Sequence, residues 1–206
     1  MEYFTYKQID DEIFSFINNK SYKENNDITL DDLRYVTILY YDFNHEVQIG
    51  HLIVNRLIVE DTIYIFKELY NNEYELNSVK LVDNYYDKDN VIMDLNSMRS
   101  NNTSCFNYRN IPGEKNLSNH ALGLAIDINP LNNPYVRNIN GKLDYDSLNE
   151  EELKYVNNRN LKHCIDHNDL AFKLFNERGF EWGGDWDFKT RAIDYQHFEK
   201  HFDNYN

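Results

Sequence analysis

Leu117-Ser-Asn-His-Ala-Leu-Gly-Leu-Ala-Ile-Asp-Ile-Asn-Pro130 carries an imidazole, His120, and a carboxylate, Asp127, on one short alternating segment. Read as a strand over residues 122 to 128, it puts Leu122, Leu124, Ile126 and Ile128 on one face and Gly123, Ala125 and Asp127 on the other. The apolar face is suited to a core. The small residues opposite leave room above the strand for a metal or substrate beside Asp127. His120 precedes Asp127 by an odd number of residues, so a straight strand would point the two to opposite faces. Joint use of both requires a bend, and Gly123 is the residue that tolerates one.

Near the far end, Asp194-Tyr-Gln-His-Phe198 supplies a second imidazole, His197. Two imidazoles and a carboxylate can hold Zn2+ and leave its fourth position open to water. Asp194 and His197 cannot share a face of one straight strand, so Asp194 is expected at a turn or strand start with His197 just inside. A carboxylate beside the three ligands can take a proton, which makes Asp194 the expected general base. Taken singly, each residue has a plain structural reading. A histidine before Phe198 is commonly a partly buried, hydrogen-bonded side chain, and Asp127 before Ile-Asn-Pro can simply form a turn. His45, His51, His163, His167 and His201 are expected to have no part in the site.

The rest of the composition narrows the function classes. The chain has 206 residues, 41% of them hydrophobic, with 17 Tyr and 12 Phe, enough for one folded domain despite a mean hydropathy of -0.75. The 35 acidic against 21 basic side chains give a formal charge of -14, which repels a phosphate backbone. A nucleic-acid partner and membrane insertion are not expected, and a monomer is. The start, Met1 to Asp10, lacks the basic and apolar regions of a secretory leader, so the chain either begins in the cytoplasm or has had a leader removed. Cys105 and Cys164 are too few for a disulfide framework.

Along the chain, Ile9, Ile13, Phe14 and Ile17 predict a helix over 8–18. Residues 35–43 and 47–54 predict a β-hairpin. Ile63, Phe66 and Tyr70 mark a helix over 60–70 with Asp61 or Thr62 as N-cap, and 78–83 reads as a strand. From 84 to 119 no period is visible, which in so long a loop points to binding or catalysis. Ser147 and Glu150 have capping-box spacing for a helix to about Tyr155. Leu170, Leu174 and Phe175 stripe a helix closed by Gly179. Glu181 to Trp186 reads as a glycine turn between aromatics, and 192–200 as a final strand. Residues 1–58 are expected to be an N-terminal helix and hairpin extension, and 59–206 the functional core, within a single domain.

Ser118, His120, Gly123, Ala125 and Asp127, followed by Asp194 and His197, resemble the motif Ser-x-His-x-x-Gly-x-Ala-x-Asp then Glu/Asp-x-x-His. This is the motif of zinc peptidases of bacterial cell walls, the D-alanyl-D-alanine carboxypeptidase / L-alanyl-D-glutamate endopeptidase family. The blocks Asn101 to Arg109 and Trp182 to Trp186 resemble its carboxypeptidase-like branch. The resemblance implies an α+β fold, a small antiparallel sheet flanked by helices in the hedgehog/DD-peptidase-like manner. It implies His120, Asp127 and His197 as zinc ligands, Asp194 as catalytic acid/base, and an upstream arginine on the scissile carbonyl, Arg109 with Arg99 in reserve. Ser118 binds substrate or merely caps a turn. Trp182 and Trp186 either wall the cleft or belong to the core, with Trp182 taken as the substrate contact. Asp185 is placed to hold a ligand histidine. The substrate implied is the peptide stem of peptidoglycan, reached by secretion or by release as a phage-type lysin. Which bond is cut stays open, as does the alternative of a non-catalytic, zinc-stabilised wall-binding module.

Overall fold

Thr5–Gln8 (β1) is the first element of the computed structural model, which describes residues 2–111 and 115–203. It is mostly exposed, so it left no alternation to read, and it precedes a helix shorter than the predicted 8–18. That helix, Asp11–Ile17 (α1), is capped by Asp10, whose Oδ1 accepts from Ile13 N at 3.0 Å, and it buries Ile13 and Ile17 one turn apart. Leu33–Tyr41 (β2) and Val47–Asn55 (β3) form the expected hairpin, in register from Leu33 opposite Asn55 to Tyr41 opposite Val47. Val59–Asn71 (α2) packs on β2 through Val59, Thr62, Ile65, Phe66 and Leu69. Its face is therefore rotated from the predicted Ile63-Phe66-Tyr70 stripe. Neither Asp61 nor Thr62 is its cap; the cap position is Ile58, and the Thr62 hydroxyl donates back to Ile58 O.

The strand expected at 78–83 shrinks to Ser78–Val79 (β4) before a 3-10 turn at Val82–Tyr85. The stretch read as a loop holds a helix, Asn90–Arg99 (α3), and a strand, Asn102–Thr103 (β5), which runs parallel to β4. The helix escaped notice because, among its described side chains, only Met93 and Ser97 are fully buried while Ile92 and Leu95 are exposed, so its apolar residues follow no stripe. Ala125–Asp127 (β6) is likewise shorter than 122–128, since Asn119–Leu122 forms a 3-10 turn ahead of it. Tyr135–Ile139 (β7) and Lys142–Asp144 (β8) make a second hairpin, turned by Asn140 and Gly141, both with positive φ.

Glu150–Asn157 (α4) starts two residues after the expected position. Asn149, not Ser147, caps it, exchanging hydrogen bonds with Glu152. Leu170–Glu177 (α5) follows as predicted, capped by Asp169 and ended by Gly179 at φ 78°. Then come Glu181–Trp182 (β9), Ile193–Asp194 (β10) and His197–Glu199 (β11). The last two replace the single strand expected over 192–200. The one small sheet of the expectation is thus three antiparallel sheets, ordered β1-β2-β3, β10-β7-β8 and β6-β11-β9, beside the parallel β4-β5 pair. The architecture is mixed α and β with small sheets.

One apolar core runs from Ile13 to Phe198, with Phe175 stacked on Phe198 at 4.3 Å and edge-on to Phe180 at 5.1 Å. The end of the first hairpin reaches the ligand segment directly. Asn55 N donates to Gly123 O at 2.8 Å, and Asn55 Nδ2 to Leu122 O at 2.9 Å. Gly123 has φ 66°, and a Cβ there would stand 2.8 Å from Asn55 N. Both the left-handed backbone and a backbone neighbour that cannot move aside exclude a side chain. Gly123→Ala is expected to cost at least about 2 kcal/mol, which in a domain this size lowers Tm by roughly 4–8 °C. Thermal denaturation checks this, and an unchanged Tm would contradict it.

Candidate metal centre

The bend expected at Gly123 is what joins His120 to Asp127. Ser118 caps the 3-10 turn by accepting from His120 N at 3.3 Å, the turn carries His120, and Gly123 redirects the chain into β6. His197 on β11 sits directly opposite Asp127 on β6, so cross-strand pairing puts both side chains on one face. The three ligand atoms close a triangle. His120 Nε2 lies 3.1 Å from His197 Nδ1 and 3.2 Å from Asp127 Oδ1, and His197 Nδ1 lies 3.1 Å from the same oxygen. Tetrahedral zinc with bonds of about 2.0–2.2 Å needs ligand-to-ligand edges of roughly 3.3–3.6 Å, within a few tenths of an ångström of this.

The outer contacts leave the right nitrogens bare. His120 Nδ1 donates to Cys105 O at 2.7 Å, which frees Nε2. His197 Nε2 donates to Glu199 Oε2 at 3.1 Å, which frees Nδ1. Two nitrogen lone pairs and a carboxylate oxygen therefore converge in a buried space, an arrangement that a cation relieves. All three residues can hold a metal ion. Without one, a proton takes its place. Burial opposes the His197 imidazolium, but Asp127 and Glu199 outweigh it and raise the group to about 10. Burial likewise works against the Asp127 and Glu199 anions. His120 and His197 hold Asp127 low in spite of it, and His197, Asn119 and Arg191 do the same for Glu199.

Asp194 ends β10, opposite Tyr135, with Oδ2 3.9 Å from His197 Nδ1. Its Oδ1 is buried and has no hydrogen-bond partner among the described residues. Burial foremost, and then the charge of Asp127, push this carboxyl up to about 7 against the opposing pull of His197 and Arg109. A Cβ on Gly183 would come within 2.5 Å of Asp194 O and 3.2 Å of His197 Cβ, which accounts for the glycine at that point of the Trp182 to Trp186 block.

A cleft of about 730 Å³ opens above the triangle, and Arg109, Ser118, Trp186 and Asp194 are among its walls. Arg109 Nε pairs with Asp94 Oδ2 at 2.9 Å. Arg99, the reserve choice, is exposed at the end of α3 and does not line the cleft. Trp182 does not either. It is core, donating from Nε1 to Tyr195 O and stacking along Phe198. Trp186 takes the cleft position instead, its ring 5.2 Å from that of His197. Asp185 holds no ligand histidine; it pairs with the exposed His167 at 2.8 Å.

Glu199, Cys105 O, Asp94 and Asn119 support the centre without having been read from the sequence. The Asn119 amide holds Glu199 Oε2 at 2.6 Å. Glu199 lies two residues past His197 on the same strand face, the one signal that pointed to it. Glu181, Glu199 and His201 also bring ligand atoms within 4.8 Å of one another, but His197, Asn119 and Arg191 already occupy the Glu199 oxygens. Cys105 and Cys164 are both free. Burial and the charge of Asp127 push the Cys105 thiol well up, which keeps it protonated and unsuited to nucleophilic attack.

Residues 112–200 match the family model described as D-alanyl-D-alanine carboxypeptidase. This span contains the three candidate ligands and Asp194, so the similarity to a peptidase family covers all four. No curated protein and no solved structure matches the chain. No helix among the described residues is long and apolar enough to cross a membrane.

Proposed function

We propose, with the carboxypeptidase-family match over residues 112–200 as premise, that the chain is a zinc-dependent peptidase acting on the peptide stems of bacterial peptidoglycan. The observation that carries this reading is the buried, unpartnered Asp194 Oδ1 beside the His120-Asp127-His197 triangle. A metal held only for structure has no use for a spare carboxylate and is usually closed by a fourth protein ligand. When bound by His120, Asp127 and His197, zinc supplies Lewis acidity that polarises a carbonyl and makes water a stronger acid.

The chain's own groups do the remainder. Asp194 takes the proton of the attacking water at Oδ1 and returns it to the departing amine, a task suited to a carboxyl raised toward neutrality. Arg109, held by Asp94, offers its guanidinium to the negative charge that develops on the carbonyl oxygen. Ser118 acts through the ligand turn it caps. Residues 59–206 carry the chemistry, and residues 1–58 brace the Gly123 bend through Asn55. The enzyme works at the cell wall, as a secreted protein or a phage-type lysin.

Incubating the zinc-loaded protein with defined muropeptides and reading the new termini by mass spectrometry tests this. Release of terminal D-alanine, or scission between L-alanine and D-glutamate, is the expected result, abolished by chelator. Binding of muropeptides with no cleavage would replace the enzyme with a zinc-stabilised wall-binding module.

A further inference from the structure

Arginines are scarce in this chain, eight among 206 residues with a formal charge of -14, yet Arg109, Arg137 and Arg191 all line the one cleft above the triangle. Two of them are committed. Arg109 pairs with Asp94 at 2.9 Å, and Arg191 pairs with Glu199 at 3.3 Å while lying over the Trp186 ring at 3.5 Å. Arg137 has no ion pair and no side-chain hydrogen bond among the described residues. Its register partner across the hairpin is Asp144, but that carboxylate accepts from Asp146 N and forms no ion pair with Arg137.

Strand register fixes where Arg137 stands relative to the reaction. Tyr135 faces Asp194 across the β7-β10 pair, and Arg137 lies two residues further along the same face of β7, roughly 6.6 Å on. Its guanidinium thus enters the cleft a side chain's length from Asp194. An uncommitted guanidinium at that range is a receptor for a carboxylate, which it can hold with two parallel hydrogen bonds. With so negative a surface, no long-range field draws an acidic ligand in, so the recognition must be local.

We propose that Arg137 anchors a free carboxylate borne on the α-carbon of the substrate residue whose amine departs. The inference rests on the peptidase reading and deepens it. A terminal D-alanine carries such a carboxylate beside the scissile bond. So does a D-glutamate that is linked onward through its side-chain carboxyl, because its α-carboxylate stays free. One guanidinium therefore serves either bond, and amidation of that carboxylate is what the cleft rejects.

The test is steady-state kinetics of the zinc-loaded wild type and Arg137→Gln on paired substrates. One pair is a stem pentapeptide ending in D-Ala-D-Ala and its C-terminal amide. The other is an L-Ala-γ-D-Glu stem and its form with the α-carboxylate amidated. The wild type should favour the free acid of whichever pair it cleaves by about 10²-fold in kcat/KM. In Arg137→Gln that ratio should fall to about one, and Arg137→Lys should recover part of it. Calorimetric binding of N-acetyl-D-alanine should weaken in step. A wild type indifferent to amidation, or a variant that slows acid and amide equally, overturns the proposal while leaving the peptidase reading intact. A wild type that cleaves neither pair overturns both.

Discussion

Asp194→Asn, loaded with zinc, is expected to lose about 10³-fold or more in kcat and to keep its full complement of one metal ion. The substitution preserves shape and volume in a buried position and removes only the capacity to carry a proton. Positioned proton transfer contributes about 10²–10⁴-fold, and Asp194 Oδ1 has no hydrogen-bond partner among the described residues to substitute for it. Metal binding should survive because the converging atoms belong to His120, Asp127 and His197. Kinetics alongside a zinc assay on the same preparation separates these effects. A loss of less than about tenfold in kcat would remove Asp194 from the acid/base role. A loss of zinc together with activity would reassign it to the ligand set.

Zinc is expected to stabilise the fold, and increasingly so as pH rises. At a thousandfold excess over Kd it adds about 4 kcal/mol, or roughly 8–16 °C in Tm for a chain of this length. The pH dependence follows from the groups that the cation replaces. In the metal-free protein His197 is raised to about 10, with burial outweighed by Asp127 and Glu199. Its contribution is therefore complete below the ordinary histidine value of about 6.5 and is lost as pH climbs through 10. Asp194, raised to about 7 chiefly by burial, loses its contribution in the same direction, as pH climbs from the usual aspartate range through 7. Asp127 and Glu199, both lowered, stabilise above the usual carboxylate range and lose that effect only on acidification. From about pH 6 upward the metal-free protein should weaken. Zinc has to displace the His197 proton, so its affinity should tighten about tenfold per pH unit, near 1.4 kcal/mol each, over the same interval. Calorimetric scans at pH 6, 7 and 8 with zinc or chelator should show the Tm gap widening. A constant or narrowing gap would mean that no proton is exchanged at the site.

Much of the centre was legible before any coordinates, because ligand chemistry is written in residue type and order. His120, Asp127 and His197 converge, and Gly123 bends the chain between the first two, since an odd spacing demanded it. The first hairpin was legible from its runs of β-branched and aromatic residues, and α5 from apolar residues recurring at the helical period. Where one face carries little apolar surface, the period vanishes. That hid β1, whose side chains are mostly exposed, and α3, which buries only Met93 and Ser97 of its described side chains. The start of α4 slipped by two residues because Ser147 and Asn149 both offer capping chemistry, and only the hydrogen bonds of Asn149 and Glu152 choose between them.

By itself, then, the sequence pointed to the candidate donor set His120, Asp127 and His197, the glycine bend and the carboxylate of Asp194 beside them, all properties of residue types and their spacing. Tertiary structure decided the surroundings. It set Arg109 against Asp94 and left Arg99 outside, sent Trp182 into the core and Trp186 into the cleft, and set Glu199 and Cys105 O behind the two imidazoles. It also left Arg137 uncommitted on the strand that pairs with Asp194. These contacts join side chains far apart along the chain, or depend on strand register. A one-residue shift in register would turn Glu199 on β11 and Arg137 on β7 to the opposite face.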